Sequence, residues 1–260
     1  MSLKIIDTHM HIGPEPGRMV PDQSVESLVA KMDRLGIEKG ISANCLSLSS
    51  ADRFEEGIAD DARVSALAGG RIYSFFGYHP NYIEESIACI RNHKDDPRCV
   101  AIKIHPSGAF VNADDEKYRP CWEIARELGL PIMSHTWDVS SYNPKQVYAV
   151  AGKFEKYISE YPDVTFVFGH CGGRYNGIKT AIELGKRYAN ANFDITGDIW
   201  LNGFIEALVE GVGADRIVYG SDHTMIEQRP MLGVVYGSNI PTIDKEKILY
   251  HTAERIYFSK

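Results

Sequence analysis

"IIDTHMHIGP", residues 5–14, decides between two ways of building an α/β protein. Its apolar, β-branched start reads as a buried strand. Alternate residues of a strand share a face, so His9 and His11 project together, and Asp7 joins them where the extended conformation reaches back that far. A doubly wound dinucleotide-binding sheet would carry a glycine-rich phosphate turn at this place. Two imidazoles stand there instead, and neutral ring nitrogens are good ligands for zinc and similar divalent ions.

Outward from this stretch, the chain alternates. Strand candidates follow at 39–48, 71–80, 99–106, 131–136, 164–172, 192–199 and 216–222, each rich in β-branched or aromatic residues. Amphipathic stretches lie between them. In 24–36, Ser24 is a candidate N-cap, Glu26 places a negative charge in the first turn and Gly36 ends the run, while Ser27 stands where a full capping box would have Glu or Gln. Residues 114–129, 203–213 and 244–258 read as helices by the same logic. Eight strands alternating with helices predict a closed (β/α)8 TIM barrel, one domain over residues 1–260, with an open doubly wound sheet as runner-up.

Composition narrows the partners. A net charge of −7 and no lysine- or arginine-rich run argue against a nucleic-acid backbone. No apolar run approaches the roughly 20 residues that span a bilayer. Lys4 is followed by only Ile5 and Ile6 before Asp7, so no signal peptide is expected. Five widely spaced cysteines without a C-x-x-C pair fit reduced thiols, and a cytoplasmic protein is the expectation.

In a (β/α)8 barrel, chemistry sits at the C-terminal ends of the strands. The first candidate strand ends with His9 and His11, the third with His79, the fourth with Lys103 and His105, the fifth with His135, the sixth with His170 and the eighth with Asp222. Most of the nine histidines thereby fall in one layer of the predicted fold.

In this order, "DTHMH", "KIHP", "SHT", "FGHCGG" and "YGSD", with the terminal "HTAERIYF", resemble the amidohydrolase superfamily, most of all its decarboxylase-, lactonase- and hydratase-like branch. The resemblance implies that His9, His11 and His135 ligate one divalent metal. Asp222 would complete the site and touch the metal-bound water, and His170 would either join the metal shell or polarise a substrate carbonyl. Zinc ranks first, with manganese and iron suited to the same donors. Lys103 resembles the fourth-strand lysine that is carboxylated and bridges two metals in binuclear members. The competing readings are a lysine anchoring a substrate carboxylate or one paired with an acid such as Asp7, and a mononuclear site is preferred.

His79 and His105, each followed by proline, are either substrate contacts or loop packing. Trp137 and Arg174 would suit a planar or carboxylate-bearing small molecule, with surface exposure as the plainer reading. Cys171 reads as packing, since neighbours on a strand face opposite ways; His223 turns away by the same argument unless its loop bends. His93 and His251 fall in helical segments and read as structural.

The expected reaction is metal-dependent hydrolysis of a lactone, amide or ester, with Asp222 shuttling the proton and His170 assisting. One alternative is non-oxidative, metal-dependent decarboxylation of an aromatic or unsaturated acid, which uses the same ligands. Another is a phosphoesterase of the polymerase-and-histidinol-phosphatase type, ranked lower because no clear glutamate stands on the third or fourth strand. The chain is shorter than many decarboxylase members of the resembled branch, which tilts the expectation towards hydrolysis. The resemblance also suggests a homodimer.

Overall fold

The β-branched runs form eight parallel strands that pair in sequence order: β1 (Ile5–Met10), β2 (Ile37–Ser42), β3 (Ile72–Tyr78), β4 (Cys99–Ile104), β5 (Ile132–His135), β6 (Phe166–Gly169), β7 (Ala191–Asp194) and β8 (Ile217–Val218). The computed structural model describes residues 3–12, 22–49 and 53–259, so Gly13 and Pro14 of the opening stretch lie outside the described residues. The ring closes where Thr8 N donates to Tyr219 O at 3.0 Å and Asp222 N to His9 O at 2.8 Å. The result is a single-domain (β/α)8 barrel.

Its interior is filled by side chains that alternate along the strands. Ile6, Ile41, Phe75, Met133, Val167 and Val218 form one buried cluster. A separate, larger apolar layer lies between the strands and the helices. That division places chemistry by parity: Ala101 belongs to the interior cluster, and Lys103, two residues on, turns its ammonium to Met133 Sδ at 3.4 Å.

The helix Val25–Leu35 begins and ends as its sequence predicts. Ser24 Oγ accepts from Ser27 N at 3.2 Å, and Gly36 closes the helix at φ 74°, a left-handed conformation that glycine adopts without steric cost. Val25, Leu28 and Met32 form its buried face.

Several expected boundaries change, and two of the changes have a visible local cause. The second strand, expected over 39–48, ends at Ser42 and is followed by a short helix, Cys45–Ser49. Asn44 makes the switch: its Oδ1 accepts from Leu46 N at 3.0 Å, a local bond that turns the chain out of the sheet. The last helix, expected over 244–258, starts as Thr242–Glu246 and widens into π turns at Lys247–His251 and Glu254–Phe258. There the Ile248 carbonyl accepts from Tyr219 N at 2.9 Å, so the barrel competes for an acceptor of the helical ladder.

All five cysteines are buried. No helix among the described residues is long and apolar enough to cross a membrane.

Candidate active site

The end of β1 delivers His9 and His11 with their ring centroids 5.2 Å apart. Each has one nitrogen committed to a group that can only accept. His9 Nδ1 lies 2.6 Å from Asp194 Oδ2, and His11 Nδ1 lies 3.1 Å from the Ala43 carbonyl. Both rings therefore carry their proton on Nδ1 and keep Nε2 as the lone-pair atom. His170, just past β6, repeats the pattern: its Nδ1 donates to Thr196 O at 3.1 Å. Burial pushes the His9 and His170 imidazoles below their ordinary range, which favours the neutral, ligating form.

Asp222 faces these lone pairs from the loop after β8. Its Oδ1 lies 3.1 Å from His11 Nε2 and 3.6 Å from His9 Nε2. A carboxylate oxygen and an imidazole lone pair are both acceptors, so positive charge between them satisfies the arrangement. Donor atoms of His9, His170 and Asp222 all lie within 4.8 Å of one another. Imidazole and carboxylate donors at this spacing suit a divalent cation, with His11 alongside.

Local backbone shape serves this cluster. His170 and Asp222 both sit at φ 63°, a left-handed conformation unusual for residues other than glycine and of the kind concentrated at functional sites. Gly220 is required by close approach: a Cβ there would lie 2.5 Å from Asp194 Oδ1 and 2.6 Å from His9 Cβ.

Asp7 does not join the imidazoles. Its carboxylate accepts from Ser221 N at 3.0 Å and Gln228 Nε2 at 3.2 Å, anchoring the loop that carries Asp222. Burial raises it to about 7. Lys103 is not paired with Asp7 either. Its Nζ lies 2.7 Å from His9 Nε2, in the place a cation at that nitrogen would take, and burial lowers it to about 8.

The wall beside His170, whose ring lies 4.8 Å from His135 and 5.2 Å from Trp137, is built differently. His105 and His135 stack face to face, 4.2 Å apart and 4° from parallel, and Trp137 continues the stack at 12° to His135. Here the proton sits on the other nitrogen: His135 Nε2 donates to Gln146 Oε1 at 3.0 Å, which leaves Nδ1 with the lone pair, and the ring stands 4.8 Å from that of His170. Burial depresses the His105 imidazole to about 3 and the His135 imidazole well below its usual value.

Both walls line one cavity of about 580 Å³, which also takes in His79, Lys145 and Asp198. Arg174 stays outside the lining. Its guanidinium pairs with Asp198 and sits 5.9 Å from the Trp137 ring, so it reaches the rim only through those neighbours. Cys171 is packed, donating to Asp194 O at 3.2 Å, and His223 is buried away from this cavity.

Asp194 is the residue that sequence reasoning passed over. It orients His9 and accepts from Thr196 N at 3.0 Å, although burial raises its carboxyl. The signal was partial: Asp194 lies near the start of the seventh strand candidate, 192–199, and only because the strand ends at Asp194 does this acid fall in the same layer as the histidines. Gln146 gave no such signal, since it lies in a segment without strand character.

An amidohydrolase family model matches residues 6–258 of the chain. No curated protein matches it. Solved structures share its architecture at low identity. The 5-carboxyvanillate decarboxylase of Sphingomonas paucimobilis superposes with a TM-score of 0.77 at 13% identity, covering 98% of this chain and 99% of that one. The 2,6-dihydroxybenzoate decarboxylase of Rhizobium gives 0.71 at 16%, covering 98% of each chain. A dihydroxybenzoic acid decarboxylase from Polaromonas sp. JS666, solved with bound manganese and the inhibitor 2-nitroresorcinol, gives 0.74 at 15%, covering 98% and 96%.

Proposed function

The chain belongs to the amidohydrolase family, and from that premise we propose that it is a metal-dependent lyase releasing carbon dioxide from a planar aromatic or unsaturated acid. The observation that carries this reading is the parallel stack of His105, His135 and Trp137 lining the same cavity beside His9, His170 and Asp222, with the His170 ring edge-on to His135 and Trp137. A flat ring can lie along the stacked rings with its carboxylate towards the imidazole–carboxylate cluster. The sequence ranked hydrolysis first. The order reverses here because the solved structures named above are decarboxylases and because one wall is made of flat rings. The phosphoesterase reading stays last, since the lining supplies Asp198 and Asp222 as its only acids among the described residues.

His9, His11, His170 and Asp222 would hold the ion, with His135 next to them. Bound there, one divalent ion supplies the positive charge that fixes a substrate carboxylate. Manganese ranks ahead of zinc because of the Polaromonas structure, and the donors suit both. Lys103 is read as a cation beside a mononuclear site rather than as a bridge, given its contact with His9.

The chain's own groups do the remaining work. Trp137 and His135 orient the ring, and Met225 and Ile226 line the cavity with apolar surface. The carbon that loses carbon dioxide must gain a proton, and the Asp222 carboxylate beside His170 is placed to carry one there, taking it first from the acidic hydrogen of the substrate or from solvent and then passing it to the carbon.

Incubating the manganese-loaded protein with hydroxybenzoates, and separately with lactones and aryl esters, tests the proposal. Carbon dioxide release from a hydroxybenzoate without ester or lactone cleavage is the expected result. Cleavage of lactones or esters with no carbon dioxide release would restore hydrolysis as the reading.

A further inference from the structure

A second group of potential ligands lies outside the barrel mouth, between the helices Phe54–Leu67 and Ile83–Asn92. Cys89 and His93 are one helical turn apart, and His93 N donates to Cys89 O at 3.1 Å, so the two side chains share a face. Glu55, from the first turn of the other helix, brings its Oε2 to 2.6 Å from His93 Nε2. Donor atoms of the three residues lie within 4.8 Å of one another.

We propose that Glu55, Cys89 and His93 form a second metal site, which takes a borderline-soft divalent cation such as zinc or cobalt and clamps the two helices together. The argument rests on donor chemistry and on access. A thiol, an imidazole and a carboxylate from two elements complete three corners of a tetrahedron, and water supplies the fourth. Hard ions such as magnesium or calcium prefer all-oxygen ligands and would not select this set. Tetrahedral donors around zinc lie on the order of 3.5 Å apart, so closing the present group needs only side-chain rotation. That rotation is open to it: Cys89 is 6% exposed, whereas the side chains of His93 and Glu55 are 31% and 61% exposed. The thiol lies beneath two movable arms that face solvent.

Before a metal arrives, burial and the Glu55 carboxylate push the Cys89 thiol up to about 12, so it stays protonated and inert. When the metal–sulfur bond forms, the thiol proton leaves to solvent, so each ion bound releases one proton. No part of this depends on the reaction proposed for the barrel mouth.

Cobalt(II) titration of the full chain, followed by absorption and by metal analysis, tests the site. The wild-type protein is expected to develop a near-ultraviolet thiolate-to-cobalt band, removed by added zinc, and to hold one more cobalt per chain than Cys89→Ser. His93→Ala, at a half-exposed position, should keep the fold and weaken this cobalt binding by more than about tenfold, as lost coordination partners do. Equal cobalt content in wild type and Cys89→Ser, or a band that persists in Cys89→Ser, would overturn the assignment. Should Cys89→Ser fail to fold, unchanged cobalt affinity in His93→Ala would overturn it alone.

Discussion

The two walls of the cavity contain the same side chain, histidine, and use it in opposite ways. On the β1, β6 and β8 side, each imidazole donates its Nδ1 proton to an oxygen behind it, Asp194, Ala43 or Thr196, and turns Nε2 forward. On the β4–β5 side, His135 gives its Nε2 proton to Gln146 and presents its ring face to His105. One wall is therefore a set of lone pairs aimed at positive charge, and the other is a flat surface. Residue type alone does not set the role of a histidine; the partner of its second nitrogen does.

Substitutions on either wall can break or sharpen that contrast. The largest effect is expected at Asp222, the one carboxylate facing the Nε2 atoms. Asp222→Asn should lower turnover on the order of 10³-fold, within the span assigned to positioned acid–base groups, while circular dichroism shows the fold retained. Turnover within a few-fold of wild type would remove Asp222 as proton carrier. Behind the same wall, Asp194→Asn should weaken divalent-metal affinity by about 10–100-fold, the usual cost of losing the partner that orients a ligating histidine. Calorimetric titration with manganese checks this, and unchanged affinity would show that Asp194 does not tune His9. On the flat wall, Trp137→Ala should raise KM about tenfold for an aromatic acid, the equivalent of roughly 1.4 kcal/mol of lost stacking, with metal affinity unchanged. A loss of metal instead would erase the distinction between the walls.

The barrel was readable because its signals are local: β-branched runs, glycine stops and polar strand ends each occupy a few residues. The second strand was misjudged at its end because the bond from Asn44 to Leu46 competes with the sheet over only two residues, too short to disturb a strand pattern. His9, His11, His170 and Asp222 were readable through their order along the chain. The partners that tell the imidazoles apart were harder to see. Asp194 meets His9 across 185 residues of sequence, and neither segment hints at the other. His135 stood beside His9 in sequence reasoning as a ligand, and its bond to Gln146 comes from a loop segment that gave no hint of it. Arg174, read as a substrate contact or as plain surface, pairs with Asp198, a partner its sequence position does not announce.

The hydrogen bonds from the loop after β8 to the His9 carbonyl have a consequence for biosynthesis. The first and last elements of the cluster, His9 and Asp222, are made more than two hundred residues apart. A nascent chain exposes His9 and His11 long before the acid that faces them, and the barrel cannot close until that segment leaves the ribosome. Until then the half-built mouth exposes imidazoles without their carboxylate, and the finished seam assembles the cluster and shuts the ring in one event.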